Sequence, residues 1–94
     1  MAQVVWTDRA LENLDLIEAY IAQFSPQAAR RIAVQLMSAG NSLGHQPERG
    51  RPVRGGIREL TSVWPYLIRY RAGLDTVIIL RIRHGARRPD GTPP

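Results

Sequence analysis

The sequence predicts an α+β fold in the order β-α-α-β-β-β, with a helical hairpin packed on one face of a small, twisted, mainly antiparallel sheet. Three observations predict it. Apolar residues recur at helical spacing twice in the first half, Gly and Pro crowd residues 44–56, and three short β-prone runs follow. Elements in this succession bury their apolar sides most simply by laying the helices on the sheet.

The elements follow in order. Gln3 to Trp6 is a short β-prone run stopped by Thr7 and Asp8, which can cap a helix. Ala10, Leu14, Ile17, Ile21 and Phe24 then share one side, with Glu12, Asp15 and Glu18 mostly on the other, predicting an amphipathic helix over 8–24. Ser25 and Pro26 restart the pattern, a capping residue followed by a proline in the first turn, where its missing N–H costs nothing. The second helix is predicted over 26–43, with Ala29, Ile32, Ala33, Leu36, Gly40 and Leu43 on one face. Its small residues allow a close antiparallel approach to the first helix. Residues 44–56 read as a basic loop, too rich in Gly and Pro for regular structure. Strands are predicted over 57–61, 66–72 and 76–83, the last two joined as a hairpin around Gly73-Leu74-Asp75, with Pro65 at a strand start. Residues 88–94 read as a loose tail, and the whole of 1–94 as one domain.

Composition narrows the function classes. With no Cys and two His, the chain offers no disulfide framework, no thiol nucleophile and no structural zinc site, and no metal or cofactor is expected. No apolar run approaches the ~18 residues of a spanning helix, and no basic segment leads into a long apolar stretch, so a soluble, cytoplasmic protein without membrane contact is expected.

All thirteen cationic side chains are Arg, and they are placed unevenly. Residues 1–48 carry three Arg against five acids, net −2, whereas residues 49–94 carry ten against three, net +7. This asymmetry points to an anionic partner, either nucleic acid or an acidic protein, because the planar guanidinium fork fits phosphate and carboxylate alike.

Alternation assigns the faces of the hairpin. Tyr66, Ile68 and Tyr70 are expected to pair with Ile82, Leu80 and Ile78 beneath the helices. The opposite face then carries Leu67, Arg69, Arg71, Val77, Ile79, Arg81 and Arg83, with Arg69 across from Ile79 and diagonal to Arg81. A strand with alternating charge describes a solvated face; the apolar residues interleaved here describe a binding surface. Arg87 follows at its end, and Arg49, Arg51 and Arg54 of the basic loop extend it. His84, at the end of the last strand, is placed to act as general acid or base toward a phosphodiester, although alternation gives it the core face of a structural residue. His45 has less support. Glu59 is the one acid on the strands, so no paired carboxylates arise, and no phosphate-cradling Gly loop or Ser/His/Asp set is present. Trp6 and Trp64 read as sheet-edge packing residues, and Tyr66 and Tyr70 as core.

Several segments together resemble the RelE/ParE superfamily of bacterial toxin–antitoxin toxins. They are Trp6-Thr7, Tyr20-Ile21-Ala22 before Ser25-Pro26-Gln27-Ala28-Ala29, Pro47-Glu48-Arg49-Gly50-Arg51, Gly56-Ile57-Arg58-Glu59-Leu60, Tyr66 through Arg71, and Ile79 through Arg87. The resemblance implies the fold already read from the residues. It also implies a growth-inhibiting toxin of a plasmid or chromosome maintenance system, bound in a hetero-oligomer by a cognate antitoxin. Such a partner, acidic, amphipathic and folding on binding, suits the cationic and apolar face. The family's RelE-like branch cuts mRNA in the ribosome without a metal, and Arg69, Arg83 and His84 occupy similar positions. This chain departs from that branch in lacking Lys altogether and in having no Tyr after Tyr70. The ParE-like branch lacks the nuclease set and is associated with inhibition of DNA gyrase. The Ser-Pro-Gln-Ala-Ala helix start, the Gly-Arg loop and the His-Gly-Ala-Arg ending resemble that branch more. A third class, a non-toxic small nucleic-acid-binding module, shares only the fold.

Overall fold

The structure, a computed structural model, describes residues 1–85. Its elements are β1 (Gln3–Trp6), α1 (Asp8–Ala22), α2 (Pro26–Asn41), a 3-10 turn (Ser42–Gly44), β2 (Arg51–Pro52), β3 (Ile57–Val63), β4 (Tyr66–Ala72) and β5 (Thr76–His84). The strands form one sheet in the order β1-β5-β4-β3-β2. β1 runs parallel to β5 and every other pair is antiparallel. The helical hairpin covers one face, as expected.

Local chemistry starts and stops the helices. Thr7 Oγ1 accepts from Ala10 N at 3.1 Å to cap α1, and Ser25 Oγ accepts from Ala28 N at 3.1 Å to cap α2, with Pro26 in its first turn. α1 ends at Ala22, two residues short of expectation. Phe24 consequently lies outside the core, 74% exposed, with its ring edge-on to Tyr20. Gly40 serves contact with β1 rather than with α1: a Cβ there would collide with the Trp6 ring, whose Nε1 donates to Asn41 Oδ1 at 2.9 Å. The segment read as wholly irregular contains the tail of the 3-10 turn and the short strand β2, because Arg51 and Pro52 pair with Glu59 and Arg58 at the sheet edge, where proline's missing donor is tolerated.

The largest correction concerns register. Tyr66 pairs with His84, Ile68 with Ile82 and Arg69 with Arg81, but Tyr70 pairs with Ile79, leaving Leu80 as an extra residue in β5. This bulge changes which residues face the helices. Val77 and Ile79, expected on the arginine face, are fully buried in the core, while Ile78 is exposed. Counting back by twos from Ile82 fails because the count crosses the bulge. Two groups from around α1 satisfy the disturbed backbone. Thr7 Oγ1 lies 2.9 Å from the Ile79 carbonyl and 3.0 Å from that of Leu80, and Asn13 Oδ1 accepts from Ile82 N at 3.0 Å. The core between the layers comprises Ala10, Leu14 and Ile17 of α1, Leu36 and Leu43 above, and Leu60, Tyr66, Ile68, Tyr70, Val77, Ile79 and Ile82 below.

Candidate functional site

The uncovered face of the sheet gathers its charges through register. Glu59 in the middle of β3 lies directly across from Arg51 on β2 and from Arg69 on β4, so all three side chains emerge on the same face. Arg83 reaches the same point from β5. Glu59 Oε2 accepts from Arg69 Nε at 2.6 Å and from Arg83 Nε at 3.2 Å, and Arg83 Nη2 lies 3.1 Å from it. Arg51 Nη2 approaches Oε1 at 3.3 Å. The Glu59 side chain is completely buried, and the side-chain exposure of its partners falls from 67% at Arg51 through 27% at Arg69 to 14% at Arg83.

Burial alone would raise the Glu59 pKa. The Arg69 hydrogen bond, with the charge and hydrogen bond of Arg83, outweighs it and holds the carboxyl below the ordinary glutamate range. Glu59 is therefore an internal carboxylate held between guanidiniums. Three cations on one anion leave the cluster at net +2.

Beside it runs an open groove of about 480 Å³, lined by Thr7, Arg9, Ile57, Arg69, Leu80 and Arg81. Two apolar side chains and three arginines line one concavity, which suits a segment that brings both carboxylates and apolar groups. Of the residues expected to form this surface, Arg69, Arg81 and Arg83 come together. Arg71 lies across from Ile78 and donates to the Gly55 carbonyl at 2.7 Å. Leu67 is buried at 5% exposure, and Val77 and Ile79 belong to the core, so these three do not line the groove. Arg87 lies outside the described residues.

The basic loop is anchored rather than free-standing. Tyr70 Oη donates to the Pro47 carbonyl at 2.6 Å and accepts from Gly50 N at 2.8 Å. Gly50 is needed there because a Cβ would stand 2.7 Å from both the Glu59 carbonyl and the Tyr70 ring. Arg49 donates to Ser42 Oγ at 2.6 Å, Arg51 belongs to the Glu59 cluster, and Arg54 is exposed. His84 sets its ring edge-on to Tyr66 at 5.5 Å, while His45 is exposed after the 3-10 turn, away from the groove. Among the described residues no group of His, Asp or Glu could hold a metal ion, and no helix is long and apolar enough to cross a membrane.

Sequence reasoning missed Glu59, Arg9, Ile57 and Leu80. Glu59 did carry a signal, as a lone acid on strands otherwise cationic or apolar. Arg9 carried none, since it lies in the acidic half and reaches the groove only through the parallel docking of β1.

Comparison with known proteins matches residues 4–89 to the family described as ParE toxin of type II toxin-antitoxin system, parDE. The chain is 55% identical over 87 residues to Toxin RelE2 of Caulobacter vibrioides, covering 93% of this chain and 99% of that protein. It is 42% identical over 84 residues to the putative toxin Y4kP of Sinorhizobium fredii, covering 87% and 86%. Its fold superposes on a chain of the chromosomal ParDE TA system from P. aeruginosa with a TM-score of 0.77 at 28% identity, covering 89% of this chain and 96% of that one.

Proposed function

The chain belongs to the ParE toxin family of type II toxin–antitoxin systems, and from that premise we propose that it acts by inhibiting DNA gyrase and is neutralised by a cognate antitoxin. The observation that carries the gyrase reading is the occupation of Arg69 and Arg83 by Glu59. An RNA-cleaving toxin needs such guanidiniums turned toward a phosphodiester, with a general acid or base at hand. Here both converge on a buried carboxylate of the chain itself, and His84 packs its ring against Tyr66. The arrangement supports a toxin that works by binding, and leaves Arg69, Arg83 and His84 as structural and binding residues.

The antitoxin would lay an acidic, amphipathic segment along the groove, its carboxylates meeting Arg9 and Arg81 and its apolar groups meeting Ile57 and Leu80. The second reading, ribosome-dependent mRNA cleavage, draws on the name RelE2 carried by a relative. It requires Arg69 and Arg83 to leave Glu59.

The test is induced expression in bacterial cells without the antitoxin, following plasmid supercoiling and translation in the same cultures. Early loss of supercoiling and cleaved DNA complexes with translation intact are expected. Immediate translation arrest with cut mRNA, abolished by Arg69→Ala and His84→Ala, would overturn the gyrase reading.

A further inference from the structure

A second cationic surface lies at the β2–β3 end of the molecule and differs in make-up from the groove. Arg49, Arg51, Arg54 and Arg71 are exposed there; Arg51 and Arg71 emerge on the open face and the half-buried Arg58 on the other, so the charges wrap the edge. Three of these guanidiniums, those of Arg49, Arg58 and Arg71, are fixed by neutral oxygens. Arg58 Nη1 donates to the carbonyls of Gly50 at 2.7 Å and Glu48 at 3.3 Å, Arg71 Nη1 to that of Gly55 at 2.7 Å, and Arg49 Nη1 to Ser42 Oγ at 2.6 Å. Among the described residues the one ion pair within this group is Arg51 with Glu59. Each of these three guanidiniums has five N–H donors and commits only some of them, so its charge stays largely uncompensated while its position is set. The backbone that carries them is also set, by the Tyr70 hydroxyl at Pro47 and Gly50 and by the Val53 and Ile57 amides, which donate to the carbonyls of Ile57 and Arg54. Such pre-ordering lowers the entropic cost of binding.

The surroundings select among anionic partners. No exposed large hydrophobic residue falls between Met37 and Trp64. The apolar side chains of this edge, Val53 and Ile57, are half-buried among five arginines, so an amphipathic protein segment finds little apolar footing there. Single-stranded nucleic acid also requires aromatic platforms, which this edge lacks. Regularly spaced phosphates need neither. We propose that the β2–β3 edge contacts the phosphate backbone of duplex DNA, without reading base sequence. This goes beyond the gyrase reading and does not depend on it, because it describes a contact that the free toxin makes by itself.

The test uses the full chain, purified away from its antitoxin, and a fluorescent random-sequence duplex, with anisotropy followed across a salt series in the absence of gyrase. Each lost phosphate contact should flatten the dependence of log K on log salt by about 0.9. The Arg49→Ala/Arg54→Ala pair is expected to flatten it by nearly twice that and to weaken low-salt binding at least about tenfold. Arg30→Ala/Arg31→Ala, an equal charge loss on α2, should leave the affinity within about twofold, since those residues lie outside the edge. Thermal melting checks that each variant is folded, and the single Arg54→Gln exchange on an exposed side chain repeats the test should the loop pair fail to fold. Equal losses from the two pairs, or no loss from the loop pair, would overturn the proposal. So would preference for a polyglutamate chain of matched charge over the duplex, which would assign the edge to an acidic protein instead.

Discussion

The two faces of the sheet hold the same strands together by opposite means. Beneath the helices, Ile68, Tyr70, Val77, Ile79 and Ile82 are each at most 2% exposed and pack against Ile17, Leu36 and Leu43. Their contacts are many, non-directional and individually small, so shortening one side chain leaves the rest in place. On the uncovered face β2, β3, β4 and β5 are tied through a single carboxylate. One face is redundant, and the other has a single point of failure. A buried charge is stabilising only relative to losing its partner, and here one anion partners three cations.

Removing that anion tests the contrast most severely. Glu59→Gln leaves Arg69 and Arg83 facing each other with little access to water, and a loss of about 3–5 kcal/mol in unfolding free energy is expected by urea titration. A loss no larger than that of a conservative core substitution would break the comparison. Exchanging Arg83 for Met together with Glu59→Leu should recover only part of the loss, since the apolar pair avoids the desolvation of two ions while Arg69 is left without its carboxylate.

Tyr70→Phe comes next, because Tyr70 reaches both worlds. Its ring is in the core while its hydroxyl joins Pro47 to Gly50. The exchange strands a buried amide and carbonyl, with an expected cost of about 1–3 kcal/mol. Amide hydrogen exchange should show faster opening at residues 47–53 with the helices unchanged; uniform destabilisation would deny the loop its separate anchor.

Acid titrates the open face reversibly. The folded-state pKa of Glu59 lies below its unfolded value. Its contribution is therefore present above the ordinary glutamate pKa and lost as pH falls through the depressed folded value. Unfolding free energy should fall over that acid range in the native chain, and by less in Glu59→Gln. Identical pH profiles would contradict the assignment. The smallest effect belongs to the covered face: Ile79→Val should cost about 0.5–1.5 kcal/mol, with no change in the pH profile.

The covered layers were legible from sequence where local chemistry is decisive. Helical spacing over Ala10, Leu14 and Ile17 and the caps at Thr7 and Ser25 mark the hairpin, and the alternating run from Tyr66 to Ala72 marks β4. The site was half legible. The arginines announced a cationic face, but pairing Val77 and Ile79 with it assumed unbroken alternation through Leu80. No glycine or proline marks the bulge, because the groups that sustain it, Thr7 and Asn13, are about 70 residues away in sequence. Glu59 escaped for a related reason. A carboxylate becomes a keystone only once register brings Arg51, Arg69 and Arg83 to it, and register is a property of paired strands.

The parallel pairing of β1 with β5 sets an order of events during synthesis. β1 leaves the ribosome first among the described strands, and its only partner leaves last, the Thr7 hydroxyl meeting the Ile79 carbonyl across 72 residues. Until β5 emerges, the first strand has no sheet to join, the bulge lacks its tie and the wall of the groove formed by Thr7 and Arg9 has no opposite side. Long-range closure of this kind is slow to form and comes late. The toxin thus completes its arginine groove in one final step, and nascent fragments short of β5 carry Arg9 and Arg69 without Arg81 or the surface.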